Sequence, residues 1–171
     1  AVAVEISGVR KWLRASGDPD LRDISLRIEN LGVTEWDMWA YGDEPVTAVV
    51  DEQADATVVD LGSFGAKEQM QTAALAVLEH LWNNRHERVG RLVVLDEAHN
   101  LCSPEPSSPL EELLTERIVQ IAAEGRKYGI WLLLSTQRPS KVHPNALSQC
   151  DNLALMRMSS ANDLAELGLT F

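Results

Sequence analysis

The 171-residue chain contains no Gly-Lys dipeptide. A phosphate loop of the pattern G-x-x-x-x-G-K-[ST], whose backbone N–H groups and lysine cradle a triphosphate, is therefore absent from it. Cysteine is scarce: Cys102 and Cys150 are the only two, and their spacing matches no metal or redox motif. They read as buried or loop thiols in a reducing compartment. No apolar run approaches the roughly 18 residues that a bilayer span requires, so no membrane association is expected. The opening residues 1–6 lack the basic region and long apolar core of a secretory signal. An initiating Met is missing too, as in a chain cut from a longer one, and a cytoplasmic setting is expected. Basic residues are outnumbered, 15 against 26 acidic, for a net charge of −11. The imbalance is uneven, with 5 basic and 13 acidic residues in 1–60 against 10 and 13 in 61–171. Without a basic stripe, a free-standing electrostatic binder of nucleic acid is excluded. An assembly that is basic only along a pore is not.

What is present suffices for one domain with a sizeable core, at 45% hydrophobic content. The chain is organised around Arg91-Leu92-Val93-Val94-Leu95-Asp96-Glu97-Ala98-His99-Asn100. Four consecutive apolar residues read as a parallel strand buried on both faces. Two carboxylates follow at the strand's end, where open α/β sheets collect their ligands. An acid pair there suits nucleotide chemistry: the first holds Mg²⁺ through its waters, and the second polarises an attacking water. This is the Walker B pattern with a following glutamate.

Before that stretch, Val2, Val4 and Ile6 alternate as a short strand. Asp18 and Pro19 read as N-cap and first residue of a helix through Leu21, Ile24, Ile28 and Leu31, stopped by Gly32. Thr34–Asp37 resembles another helix start. Trp36 and Trp39 would share a face, more plausibly in a core or interface than as a base-stacking platform. Tyr41–Pro45 reads as a turn, Val46–Val50 as a strand and 51–55 as a polar link. Thr57–Leu61 reads as a buried strand, and a helix with Met70, Ala74, Val77, Leu78 and Leu81 on one side follows. The loop Gly62–Lys67 between them imitates a phosphate loop. However, Ala66 separates Gly65 from Lys67, and Glu68 stands where Ser or Thr should bind Mg²⁺.

After the acid pair, Ser108, Pro109 and Glu111 fit a capping box opening a helix to about Glu124. Ile130–Leu134 is a second apolar strand, ending in Ser135-Thr136-Gln137-Arg138-Pro139-Ser140. Residues 145–149 read as a short helix, Leu153–Met158 as a last strand and 162–167 as a last helical turn. Two strands joined by one helix form a right-handed βαβ unit, so they are parallel neighbours whose carboxyl ends share a rim. Asp96, Glu97 and Gln137 would then face one site, where a carboxamide can orient the attacking water or sense phosphate. The expected architecture is α/β, a parallel sheet of about four strands flanked by helices.

The blocks Leu95–Asn100, Glu124–Gly129, Ser135–Ser140 and Leu147–Cys150, with the Arg157-containing strand, resemble the HerA/FtsK group of motor ATPases, HerA more closely. The likeness runs over about residues 57–167. It implies a RecA-like P-loop NTPase core fragment, the Walker B half lying in 57–171, with residues 1–56 a segment of unassigned role. It implies ATP and Mg²⁺ as cofactors and a homo-hexameric ring that moves double-stranded DNA through its pore, with a NurA-like nuclease as partner. Residue by residue, it makes Asp96 the Mg²⁺-associated acid, Glu97 the catalytic base and Gln137 the phosphate sensor. It makes Arg126 an arginine finger reaching a neighbouring subunit, and it allows Arg138 a carboxylate or phosphate. His99 reads as a structural hydrogen-bonding residue. The Walker A loop and the N-terminal β-barrel of such proteins are not in this chain. It therefore resembles the second half of a motor core and is expected to be inactive alone. Three other readings stand. A DEAH-box helicase would share Asp96–His99 but not the Gln137–Ser140 block. A conjugation or type IV secretion ATPase would share the same motif skeleton. A nucleotide-free interaction module would fit the missing cradle.

Overall fold

The computed structural model describes residues 6–36, 38, 39, 44–157, 160, 164, 165 and 168. The chain divides into two compact units, 1–69 and 70–171.

In the first unit α1 (Ile6–Ala15) and α2 (Pro19–Asn30) form a helical hairpin. The Asp18 side chain accepts the Asp20 N–H at 2.9 Å and Pro19 opens the helix, as the sequence indicates. Gly32 adopts φ 60°, a left-handed conformation that ends helices cheaply. The hairpin closes on buried Leu13 and Ser25 and on an ion pair between Arg14 and Glu29. Trp36 and Trp39 stack with centroids 6.5 Å apart after a 3₁₀ turn at Val33–Glu35.

Three expected strands of the chain are not strands. Val46–Val50 lies in a helix, α3 (Val46–Asp51). A β-branched run makes a strand only where a neighbour completes its ladder. Here the Ala48 N–H closes a turn on the Pro45 carbonyl at 2.9 Å instead. Thr57–Leu61 joins no ladder and leaves Val58 90% exposed. Its end is already turning, with Asp60 accepting the Gly62 N–H at 2.9 Å. Residues 153–157 are exposed and irregular. The strand expected at 2–6 lies outside the described residues except for Ile6, which starts α1. The turn at 41–45 and the helical turn at 162–167 also fall mostly outside them.

The second unit holds the sheet. β1 (Arg91–Leu95) pairs with β2 (Ile130–Leu134) in parallel, Leu92 opposite Trp131 and Val94 opposite Leu133. Among the described residues the sheet has these two strands rather than about four. The helix α4 (Lys67–Asn83) precedes β1, and α5 (Pro109–Glu124) connects the strands. The protein is thus α/β, a parallel sheet flanked by helices. Burial of β1 on both faces is corrected: Leu92, Val94, Trp131 and Leu133 are all at least half exposed. With two strands, helices cover one face only, and the alternation of period two becomes visible.

The core lies on the other face. Leu114, Ile118 and Ile121 of α5 are 0–1% exposed, and Leu78, Leu81 and Trp82 of α4, Ile130 of β2, Val142 and Ala146 are buried with them in the core. At Gly125 the helix end meets the strand so closely that a Cβ would stand 2.7 Å from the Ile130 carbonyl oxygen. Trp82 meets Tyr128 edge-on at 5.7 Å, with the Arg85 guanidinium 4.6 Å over the Trp82 ring. The start of β2 is therefore held from both sides.

The capping box is present in altered form. Ser108 accepts the Glu111 N–H at 3.2 Å. The Glu111 carboxylate, however, reaches past Ser108 to the N–H and hydroxyl of Ser107, at 2.7 and 2.9 Å, and accepts from Gln71 Nε2 at 3.2 Å. Both side chains are buried, so each meets the other's polar demand.

Candidate active site

The two strand ends are locked in register beyond the strands themselves. Ser135 N–H donates to the Leu95 carbonyl, and Ala98 N–H to the Ser135 carbonyl, each at 2.9 Å. Asp96 and Glu97 are the residues left between these two bonds. They are pushed out at the carboxyl rim. Glu97 takes φ 47°, a left-handed conformation that non-glycine residues adopt at a cost of about 1 kcal/mol or more. Its N–H is held by Asp96 Oδ1 at 3.0 Å. Ala98 then opens a 3₁₀ turn, Ala98–Asn100, and is itself fully buried, which anchors the turn under the rim.

From the neighbouring strand end Gln137 donates its Nε2–H to Glu97 Oε1 at 2.7 Å. The acid and the amide, forty residues apart in sequence, thus meet directly. The other carboxylate oxygen, Oε2, is buried and takes no aligned hydrogen bond, although His99 Nδ1 lies 3.3 Å away. The same nitrogen is 3.0 Å from Thr136 Oγ1, which also accepts the Arg138 N–H at 3.0 Å. The structure brings together Asp96, Glu97, Gln137 and the backbone of Arg138, with Thr136 and His99 beside them. Thr136 is absent from the sequence-derived set. Its signal was its place directly before Gln137 at a strand's end.

Arg126 is not brought to this rim. It sits in the 3₁₀ turn Gly125–Tyr128 before β2, at the opposite end of the strand, and its exposed side chain pairs with Asp151 at 3.2 Å.

The rim's chemistry can be set against the cofactors in question. Asp96 is exposed and uses one oxygen locally. A single free carboxylate suits Mg²⁺, which keeps most of its water and takes one or two acids together with phosphate oxygens. No three-group metal cluster occurs among the described residues. Glu97 Oε2 is left buried and without a hydrogen-bond partner. The triphosphate's own cradle has no counterpart in this chain, which has no Gly-Lys.

No protein-family model matches the chain. Curated relatives do. Residues of this chain are 38% identical over 72 positions to the DNA double-strand break repair helicase HerA of Sulfurisphaera tokodaii, covering 42% of this chain and 14% of that protein. The HerA of Pyrococcus furiosus is 38% identical over 73 positions, 42% of this chain and 12% of its own length. A probable helicase of Methanocaldococcus jannaschii is 28% identical over 119 positions, 70% of this chain and 21% of its own. The chain thus spans only about a seventh of the HerA proteins it matches. Over two-fifths of its length the chain is similar to proteins named DNA double-strand break repair helicase HerA.

Proposed function

We propose that this chain supplies the Walker B half of a RecA-like ATPase core in a HerA-type DNA helicase or translocase. Residues 57–171 belong to that core in this reading, and residues 1–56 form a segment with a separate role. The bond between Gln137 and Glu97, made across neighbouring parallel strand ends, is the observation that carries it. A bare acidic turn has no reason to meet a carboxamide from the next strand, whereas a hydrolytic site needs both groups at one point. The likeness to proteins named DNA double-strand break repair helicases supports DNA as the polymer acted on.

In this reading Glu97 accepts a proton from the attacking water. Gln137 orients that water and reports on the phosphate. Asp96 holds Mg²⁺ through water, and bound Mg²⁺ neutralises charge on the phosphate oxygens. Arg138 offers an exposed cation at the same rim. Arg126, at the far end of β2, serves a neighbouring subunit of a homo-hexameric ring rather than its own site. Double-stranded DNA passes through that ring, with a NurA-like nuclease as partner, in the cytoplasm. The 171-residue chain alone holds ATP weakly, because its own residues lack the phosphate cradle. Micromolar binding of labelled ATP by the isolated chain would contradict this last point.

The test is phosphate release by the product of the complete open reading frame, with and without double-stranded DNA. DNA should stimulate release, and Glu97→Gln should lower kcat by at least about 100-fold, the usual weight of a positioned base. Unchanged turnover in Glu97→Gln would defeat the reading.

A further inference from the structure

We propose that His99 is a positioning residue for Glu97: it carries its proton on Nδ1 and holds the second carboxylate oxygen, Oε2. The inference rests on the reading of Glu97 as the base and adds a residue to that site.

The two carboxylate oxygens of Glu97 are unequally served. Glu97 Oε1 is satisfied by Gln137 at 2.7 Å, while Oε2 is buried without an aligned partner. A buried acceptor left unpaired is costly, and more so when charged. The donor that can reach it is His99 Nδ1, at 3.3 Å. That nitrogen is also 3.0 Å from Thr136 Oγ1, so its protonation decides between two arrangements. If Nδ1 is bare, the Thr136 hydroxyl donates to it and Oε2 stays orphaned. If Nδ1 carries the proton, a small ring rotation shares that proton between Thr136 Oγ1 and Glu97 Oε2. The Arg138 N–H already donates to Thr136 Oγ1, which leaves the hydroxyl free to act in either sense. Only the second arrangement satisfies the carboxylate.

The two grips on Glu97 differ in permanence. Gln137 is exposed and reaches across from the other strand end. The His99 side chain is only 16% exposed and stands on the same turn as Glu97, beside fully buried Ala98. When the Gln137 amide turns to another acceptor, His99 still fixes the orientation of the carboxylate. A base whose aim survives the departure of one partner keeps its reach to the water.

Two measurements test this. In the 171-residue chain, long-range ¹H–¹⁵N correlation of the His99 ring should show Nδ1 protonated, and Glu97→Gln should move the Nδ1 resonance. A bare Nδ1, or a resonance indifferent to Glu97→Gln, overturns the proposal even if other variants fail to fold. In the complete protein, His99→Ala should lower kcat roughly 10- to 100-fold, the range seen when an outer partner of a functional side chain is lost. KM for ATP should stay within about twofold, because ground-state binding is untouched. His99→Asn, which returns an N–H near the Nδ1 position, should recover most of the loss. Equal losses in His99→Ala and His99→Asn, or none in either, would leave only a structural tie to Thr136 and sink the proposal. Glu97→Gln is the control. If it turns over normally, the ATPase reading itself fails and takes the proposal with it. If it is inactive while His99→Ala is not, the reading stands and the role of His99 falls alone.

Discussion

Gln137 Nε2 donates to Glu97 Oε1 at 2.7 Å, joining the two strand-end loops through their side chains as well as their backbones. Replacing Gln137 by Leu removes the group proposed to orient water while keeping most of its volume. Turnover by the complete protein should fall at least about tenfold, and the melting temperature of the chain should change little, since the pair is exposed and such contacts contribute about 1 kcal/mol or less. A large loss of stability with turnover intact would reverse the assignment.

Glu111 and Gln71 are a buried pair, and Ser107 depends on the same carboxylate. Glu111→Ala strands the Gln71 amide and the Ser107 N–H, and should cost about 1–3 kcal/mol in denaturant unfolding. Replacing both Glu111 and Gln71 by Leu should cost less than the sum of the two single changes, because neither polar group is then left alone. Strict additivity would show that the pair does not interact.

Gly125→Ala sets a Cβ 2.7 Å from the Ile130 carbonyl oxygen and 3.2 Å from Ile121 Cγ2. The helix must retreat from the strand, at a cost of about 1–3 kcal/mol. Urea titration of the variant reads this directly, and an unchanged midpoint would mean that the close approach is not maintained in solution.

Burial pushes the Cys102 thiol from 9.0 to about 11, with the His143 backbone N–H pulling the other way. The folded state therefore keeps a proton that the unfolded chain gives up near pH 9. This contribution is complete below pH 9 and is lost as pH rises through about 11. It amounts to about 3 kcal/mol at most. Cys102→Ala should flatten that part of the stability profile between about pH 9 and 11, and an unaltered slope would assign it to other groups.

The two faces of the sheet should respond differently. Ile118→Ala removes a fully buried side chain and should cost about 2–5 kcal/mol. Leu133→Thr lies on the open face, 52% exposed in the wild type, and should cost well under 1 kcal/mol in this chain. Comparable losses would mean that the open face is covered in solution.

The parts legible in the sequence were those whose signal is local or set by topology. Asp18 with Pro19, and Ser108 with Pro109, name helix starts through side-chain chemistry that works within one turn. Two apolar runs joined by one helix fix a parallel pair through the handedness of the crossover, and that pair delivers Glu97 and Gln137 to one rim. What was not legible depends on partners distant in the chain. Val46–Val50 and Thr57–Leu61 have strand composition, but composition does not create a ladder partner. The exposure of Leu92 and Trp131 reflects how many strands and helices surround them, which four apolar residues in a row do not encode. Likewise, nothing in Asp96-Glu97 announces a left-handed glutamate. That conformation follows from the bonds Ser135 makes to Leu95 and Ala98 on either side of it.

Those two bonds carry a further consequence. The ladder is closed on both sides of Asp96 and Glu97, so their backbone is tied to β2 before and after the pair. With the backbone tied, the freedom left to the pair is that of side chains turning about their own bonds. Such turns take picoseconds to nanoseconds at exposed positions, far faster than the opening of a loop. A slow step in a cycle built on this rim would then lie outside the rim itself.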